Sequence, residues 1–176
     1  MTYEELGSEI YKVAHITGEF LLRSGITSNE YFDKYQFEAL PQLLDEITTH
    51  MVAKLPPLDS FDALAGMEMG GIPLATLISV KIGKPIVFVR KEAKKYGTCK
   101  FAEGSKVEGQ RLLVVEDVIT SGGQVIISSK ELRASGAIIT QCICVIDREQ
   151  GGAENLSKDG TELIPLFTMT KLKELA

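Results

Sequence analysis

The chain has 176 residues, 44% of them hydrophobic, and a formal net charge of −5. A chain of this length buries roughly 70% of its unfolded surface as one domain, so a sizeable core spanning residues 1–176 is available. No apolar run reaches the roughly 20 residues of a membrane span, the opening residues Met1, Thr2, Tyr3, Glu4 and Glu5 are acidic rather than leader-like, and the acidic balance excludes a general nucleic-acid surface. A soluble, cytoplasmic protein with neither membrane nor nucleic acid as partner is expected.

An opening helix is predicted over residues 3–16, followed by a turn-rich piece over 23–28 and the segment 30–37; the first 40 residues or so read as a small cap. Leu43, Leu44, Ile47, Met51 and Leu55 then recur on one face of a helix. Apolar runs rich in β-branched residues at 63–66, 85–89, 112–115, 143–146 and 162–167 read as buried strands, with helices fitting 72–82 and 124–134 between them. Strand alternating with helix implies an α/β fold, a mostly parallel central sheet flanked by helices, with ligand chemistry in the loops that follow strands.

Cys99, Cys142 and Cys144 lack metal or redox spacing; on a strand, Cys142 and Cys144 share a face and pack as small hydrophobes. His15 and His50 lie far apart in amphipathic stretches and are not catalytic candidates.

The segment 112–125 carries the chemistry. A buried strand runs into Glu116 and Asp117, a short apolar step of Val118 and Ile119, then Thr120, Ser121, Gly122, Gly123 and Gln124 before a helix. Backbone N–H groups and two hydroxyls can converge there on a phosphate at a helix N-terminus. The acids, upstream, point beside that phosphate, where a carboxylate can accept two hydrogen bonds from a ribose diol. No Gly-Lys-Ser/Thr loop and no Gly-x-Gly-x-x-Gly motif is present, which argues against nucleoside triphosphate and dinucleotide binding. Gly70 and Gly71, following Met69 and preceding Ile72 and Pro73, form either an ordinary turn or a second anion nest. Positive charge gathers at Arg90, Lys91, Lys94, Lys95 and Lys100, in a polar, glycine-containing stretch that reads as a flexible catalytic loop over 90–110.

The string from Val114 to Gly123 resembles the signature for phosphoribosyl pyrophosphate (PRPP) in type I phosphoribosyltransferases. That resemblance implies the family's fold with a small N-terminal hood. It places the 5′-phosphate on residues 120–124, the ribose hydroxyls on Glu116 and Asp117, and pyrophosphate at the loop containing Met69, Gly70 and Gly71. Mg²⁺ is the implied cofactor, held mainly by PRPP and water. The basic stretch resembles the loop of orotate phosphoribosyltransferases, in which Arg90, Lys91 and Lys94 would contact pyrophosphate and the lysine reaches a neighbouring subunit; a homodimer follows from this. Tyr96 stands where many members have histidine.

The donor motifs leave the acceptor undecided. Residues 22–33 resemble the orotate group's N-terminal pattern, which implies a base pocket shaped by Arg23, Ser24, Gly25, Tyr31 and Phe32, with Thr120 beside them. Arg23 stands where some members have lysine. Arg148 matches the family's base-binding arginine and suits the carboxylate of orotate; read alone, it could equally be a surface ion-pair arginine. The resemblance thus implies transfer of a phosphoribosyl group from PRPP to orotate, giving orotidine 5′-monophosphate and pyrophosphate. Transfer to another nucleobase and a PRPP-binding regulatory protein are the alternatives.

Overall fold

The computed structural model describes residues 1–21, 25, 27–92 and 101–176. Thr2 caps the first helix: its hydroxyl accepts the Glu5 N–H at 3.1 Å, and the Glu5 carboxylate accepts the Thr2 N–H at 2.8 Å. This helix, α1 (Tyr3–Ala14), buries Leu6, Ile10 and Ala14 along one face. It stops short of residue 16, where the sequence pattern places its end, because His15 and Ile16 open a strand. That strand, β1 (His15–Leu21), pairs antiparallel with β2 (Thr27–Phe32), a hairpin that no helical periodicity could reveal.

Asp33 caps the short α2 (Lys34–Glu38) by accepting the Tyr35 N–H at 3.1 Å. α3 (Pro41–Ala53) starts on a proline, which has no N–H to leave unpaired, and buries Leu43, Ile47 and Met51. Leu55 falls beyond its end but still packs against the core.

Six strands form the main sheet in the order β5 (Ala102–Gly104), β4 (Ile86–Val89), β3 (Ala63–Met67), β6 (Arg111–Ile119), β7 (Ile138–Asp147), β8 (Glu162–Thr168). Every neighbouring pair is parallel except β4 with β5. Strand β5 corrects the expectation of a flexible loop running to residue 110: Val87 pairs with Gly104, Val89 with Ala102, and the Arg90 N–H donates to Phe101 O at 2.9 Å. An open sheet edge presents unpaired N–H and C=O groups that an extended polar segment can satisfy without any apolar pattern of its own. Residues 93–100 lie outside the described residues.

Alternation along the central strands divides the core. Leu113, Val115, Ile143 and Val145 face one cluster, closed by α1, α3, α4 (Gly71–Ile82) and α7 (Met169–Glu174). Leu112, Val114, Cys142 and Cys144 face the other, under α5 (Gly123–Ala134) and α6 (Gly152–Lys158). The two cysteines share a face as their spacing requires, and burial pushes both thiols well above their usual range. Both faces of the sheet are dry, which is why β3 reads as an unbroken apolar run.

Strand order reverses between β3 and β6: the chain proceeds from β3 outward to β4, and from β6 the other way to β7 and β8. A crevice opens at the carboxyl ends of strands where that reversal occurs. The loops after β3 and β6 meet there.

Candidate active site

Paired glycines open each helix that leaves the carboxyl edge of β3, β6 and β7: Gly70 with Gly71, Gly122 with Gly123, and Gly151 with Gly152. Two of these positions show why. A Cβ on Gly71 would collide with Val115 O, so only glycine lets the start of α4 settle against β6. Gly122 has φ of 76°, the left-handed conformation that turns β6 sharply into α5.

The start of α5 has no side-chain cap among the described residues, so its leading N–H groups face outward together with the exposed Thr120 and Ser121. Asn155 of α6 steadies this turn by donating to Ser121 O at 3.0 Å, and Gln124 reaches back to Ser128 at 3.3 Å. Uncapped N–H groups, two hydroxyls and a helix dipole form a receptor for a phosphate-sized anion.

Glu116 and Asp117 end the buried part of β6, and the two acids are not equivalent. Glu116 is 9% exposed, its Oε1 accepts the Asp117 N–H at 2.9 Å, and burial, followed by the neighbouring Asp117, holds its carboxyl well above the usual range. Asp117 is fully buried; its Oδ1 accepts the Val118 N–H at 2.5 Å and its Oδ2 meets Lys34 Nζ at 2.5 Å. Burial works against the Lys34 ammonium, but Asp117 beside it keeps its pKa above the ordinary value. Glu38, on the same helix as Lys34, is pushed up to about 8 by burial first and by Asp117 second.

Gly70 lies directly over these acids, where a Cβ would strike both Asp117 Oδ2 and Glu38 Oε1. The preceding Glu68–Met69 peptide is cis, and Met69 is exposed at the mouth of the crevice. Glu68 Oε2 accepts the Lys91 N–H at 2.8 Å, which ties the end of β4 to this loop. Arg90 stands at the same rim; its Nε lies 3.8 Å from Glu103 Oε1, and Glu68, Ile72, Phe88 and Val89 complete a cavity of about 240 Å³ around it.

On the other side of Asp117, a cavity of about 400 Å³ is lined by Tyr31, Phe32, Asp33, Lys34, Val118, Thr120 and Arg148, among others. The backbone of Arg148 donates to Ile119 O at 2.9 Å, which fixes the residue beside the end of β6. Its Nε is buried and, among the described residues, has no hydrogen-bond partner. A buried, unpaired guanidinium donor calls for an acceptor from a ligand.

The structure thus places Glu116, Asp117, Val118, Ile119, Thr120, Ser121, Gly122, Gly123 and Gln124 at the carboxyl end of β6 beside Met69, Gly70 and Gly71 after β3; Tyr31, Phe32, Val118, Thr120 and Arg148 share one cavity, and Arg90 and Lys91 follow β4 at the same edge. Gly25 has φ of 83° and stands in open space. Arg23, Ser24, Lys94 and Tyr96 lie outside the described residues. Sequence reasoning missed Lys34, Glu38 and Glu68. A signal for the first two was present: Asp33 is a helix N-cap residue, and a basic and an acidic residue follow it at the i, i+4 spacing that puts both on one face.

An open, mainly parallel sheet whose helix-starting glycine turns converge at its switch point defines an α/β protein of the class that binds phosphorylated ligands there. Comparison with known proteins narrows the class. The phosphoribosyl transferase domain pattern matches residues 36–168. An orotate phosphoribosyltransferase from Nocardioides sp. is 48% identical over 167 residues, covering 95% of this chain and 92% of the relative. One from Methanocaldococcus jannaschii is 40% identical over 156 residues, covering 89% and 88%. The crystal structure of the Mycobacterium tuberculosis orotate phosphoribosyltransferase in complex with inorganic phosphate superposes with a TM-score of 0.84 at 25% identity, over 97% of this chain and 98% of that one. The chain belongs to the phosphoribosyltransferase family, among the orotate phosphoribosyltransferases.

Proposed function

We propose that the chain transfers the phosphoribosyl group of PRPP to N1 of orotate, with Mg²⁺ as cofactor, giving orotidine 5′-monophosphate and pyrophosphate. One observation carries the reading: the uncapped start of α5 and the buried Nε of Arg148, unpaired among the described residues, both stand at the carboxyl end of β6 that carries Asp117. The α5 turn receives the 5′-phosphate through residues 120–124, Asp117 and Glu116 receive the ribose hydroxyls, and Met69, Gly70 and Gly71 receive pyrophosphate. Arg148 faces the orotate carboxylate, with Tyr31 and Phe32 against the ring and Arg23, Ser24, Gly25 and Thr120 completing the base pocket.

Attack of N1 on C1′ as pyrophosphate leaves requires no covalent protein nucleophile. Positive charge develops on the ribose, so the chain contributes orientation and electrostatics. Asp117 holds the sugar in register; Arg90, Lys91 and Lys94 offset charge gathering on the leaving group, and Tyr96 lies next to them in sequence. Exclusion of water from the crevice would keep hydrolysis from wasting PRPP.

The acids at the site offer oxygen, the donor that suits a hard cation, but among the described residues no three His, Cys, Asp or Glu side chains form a metal cage. Mg²⁺ would travel with PRPP and water, with no protein side chain assigned as its ligand. Bound in that way, it supplies charge neutralisation at pyrophosphate.

The family's shared-loop arrangement supports a homodimer in which Lys94 serves the partner's site. Among the described residues no helix is long and apolar enough to cross a membrane; a cytoplasmic place in pyrimidine nucleotide biosynthesis belongs to the proposal. The deciding experiment measures pyrophosphate release from PRPP with orotate, uracil, hypoxanthine or guanine, with and without EDTA. Release with orotate alone, abolished by EDTA, is expected. Release with a purine and not with orotate would overturn the choice of base, and binding of PRPP without release for any base would favour a regulatory protein.

A further inference from the structure

Asp117 is the acid assigned to the donor sugar, and its surroundings extend the donor site into the cap. The cation against its buried carboxylate is Lys34, 33% exposed, on α2. Glu38 lies one helical turn further along α2, where burial and the neighbouring Asp117 raise its carboxyl. Its Oε1 is buried, and among the described residues no donor reaches it. Glu38 Oε1 and Asp117 Oδ2 together occupy the space a Cβ on Gly70 would need, so the cap, β6 and the pyrophosphate loop meet at this point.

Two carboxyls this close cannot both stay ionised without a proton between them or a cation beside them. The geometry offers both: Lys34 supplies the cation, and a protonated Glu38 would supply the donor. Glu116 adds a third carboxyl, bonded to the Asp117 N–H. Asp33 at the cap of α2, Tyr35 on α2, Cys142, Cys144 and Asp147 on β7, and Arg148, which lines the same cavity as Lys34, are further titratable or charged neighbours of the cluster. Helices α1 and α3 meet α2 through the apolar cluster that contains Ile10, Phe37 and Leu43. Without Lys34, three carboxyls would share this patch, and the Asp117 carboxylate would lose the cation that orients it.

We propose that Lys34 and Glu38 are positioning residues that hold the Asp117 carboxylate aimed at the donor sugar, so that the cap completes the PRPP site as well as the base site. This rests on Asp117 being the ribose acceptor. It makes the cap a determinant of donor affinity, a role separate from the base contacts of Tyr31, Phe32 and Arg148.

The test is calorimetric titration of the full chain with PRPP and Mg²⁺, together with steady-state KM values for PRPP and orotate, on Lys34→Met, Lys34→Arg, Glu38→Gln, Glu38→Ala, Asp117→Asn and the Lys34→Met/Asp117→Asn double variant. Loss of a charged partner predicts that Lys34→Met weakens PRPP binding about tenfold or more, while the KM for orotate stays within about twofold of wild type. Lys34→Arg restores most of the loss because the charge returns. Glu38→Gln binds PRPP like wild type, since its amide can still donate to Asp117, whereas Glu38→Ala binds several-fold more weakly. In the Asp117→Asn background Lys34→Met costs nothing further, because residues that act as a unit are not additive.

Wild-type or tighter PRPP binding by Lys34→Met would overturn the proposal, as would a loss that multiplies fully with that of Asp117→Asn. Equal affinities for Glu38→Gln and Glu38→Ala would remove Glu38 from it. Should Lys34→Met fail to fold, Lys34→Arg and the Glu38 pair still decide the matter. If Asp117→Asn alone leaves PRPP affinity unchanged, the ribose assignment falls, and that result is read without touching the cap.

Discussion

The crevice between β3 and β6 and the cap around α2 are built in opposite ways. The crevice is made of backbone: glycine turns, an uncapped helix start and a carbonyl that leaves no room for a Cβ at Gly71. The cap contributes side chains, Lys34, Glu38, Tyr31 and Phe32, which reach the same space from a hairpin and a five-residue helix. Backbone receptors suit groups that any such enzyme must hold, phosphate and pyrophosphate, because peptide N–H groups cannot be tuned by substitution. Side chains suit choices: which base, and in what charge state the acids stand. Perturbing the backbone half should therefore disable the donor site, whereas perturbing the cap should shift affinities and pH responses.

The largest effect should come from the loop cation that belongs to neither region. If Lys94 offsets pyrophosphate charge in the transition state, Lys94→Ala should lower kcat by about 10²–10³ with the melting temperature unchanged. Mixing this variant with Asp117→Asn should recover activity if subunits share sites; recovery would establish the crossing, and none would argue against it. Next comes Gly70→Ala, whose methyl group would enter the space of the Asp117 and Glu38 carboxyls. Overpacking of this kind costs about 1–3 kcal/mol, and PRPP affinity should fall about tenfold with circular dichroism retained. A Gly70→Ala variant that binds PRPP normally would break the idea that the backbone half is rigid.

Arg148→Ala tests the side-chain half. A charge-assisted hydrogen bond contributes about 1.5–3 kcal/mol, so the KM for orotate should rise about tenfold or more while PRPP affinity changes little. Equal losses for both ligands would mean that Arg148 shapes the whole crevice.

The smallest effect is in the pH dependence of stability. Glu38 has its carboxyl raised from 4.5 to about 8 in the folded chain, by burial and then by Asp117. Between those values the folded state holds a proton that the unfolded state has released, so stability is lost as pH rises through this window. Glu116, also raised, acts in the same direction. Glu38→Gln carries no such proton; thermal melts from pH 5 to pH 8 should show its melting temperature gaining on wild type as pH rises. Parallel curves would show that Glu38 is not held protonated.

Much of the sheet was legible because parallel strands covered on both faces must be apolar throughout: the runs at 63–66, 112–115 and 143–146 all lie within β3, β6 and β7. The β1–β2 pair was not, since its residues are mostly exposed and its pairing joins two separate segments. Strand β5 was hidden for a related reason: three residues gain strand structure from the edge of β4, not from their own pattern.

The same division holds at the site. The amino-acid sequence by itself determined the donor loop, because the residues from Glu116 to Gly123 are contiguous and their turn chemistry is local. Only the tertiary structure decided that Lys34 and Glu38 stand against Asp117. Among the described residues three strands and two helices lie in the chain between α2 and β6, and nothing local to either segment specifies the partner. That contact exists because α2 packs through Phe37 into the core beneath the crevice, which leaves its charged turn facing the end of β6.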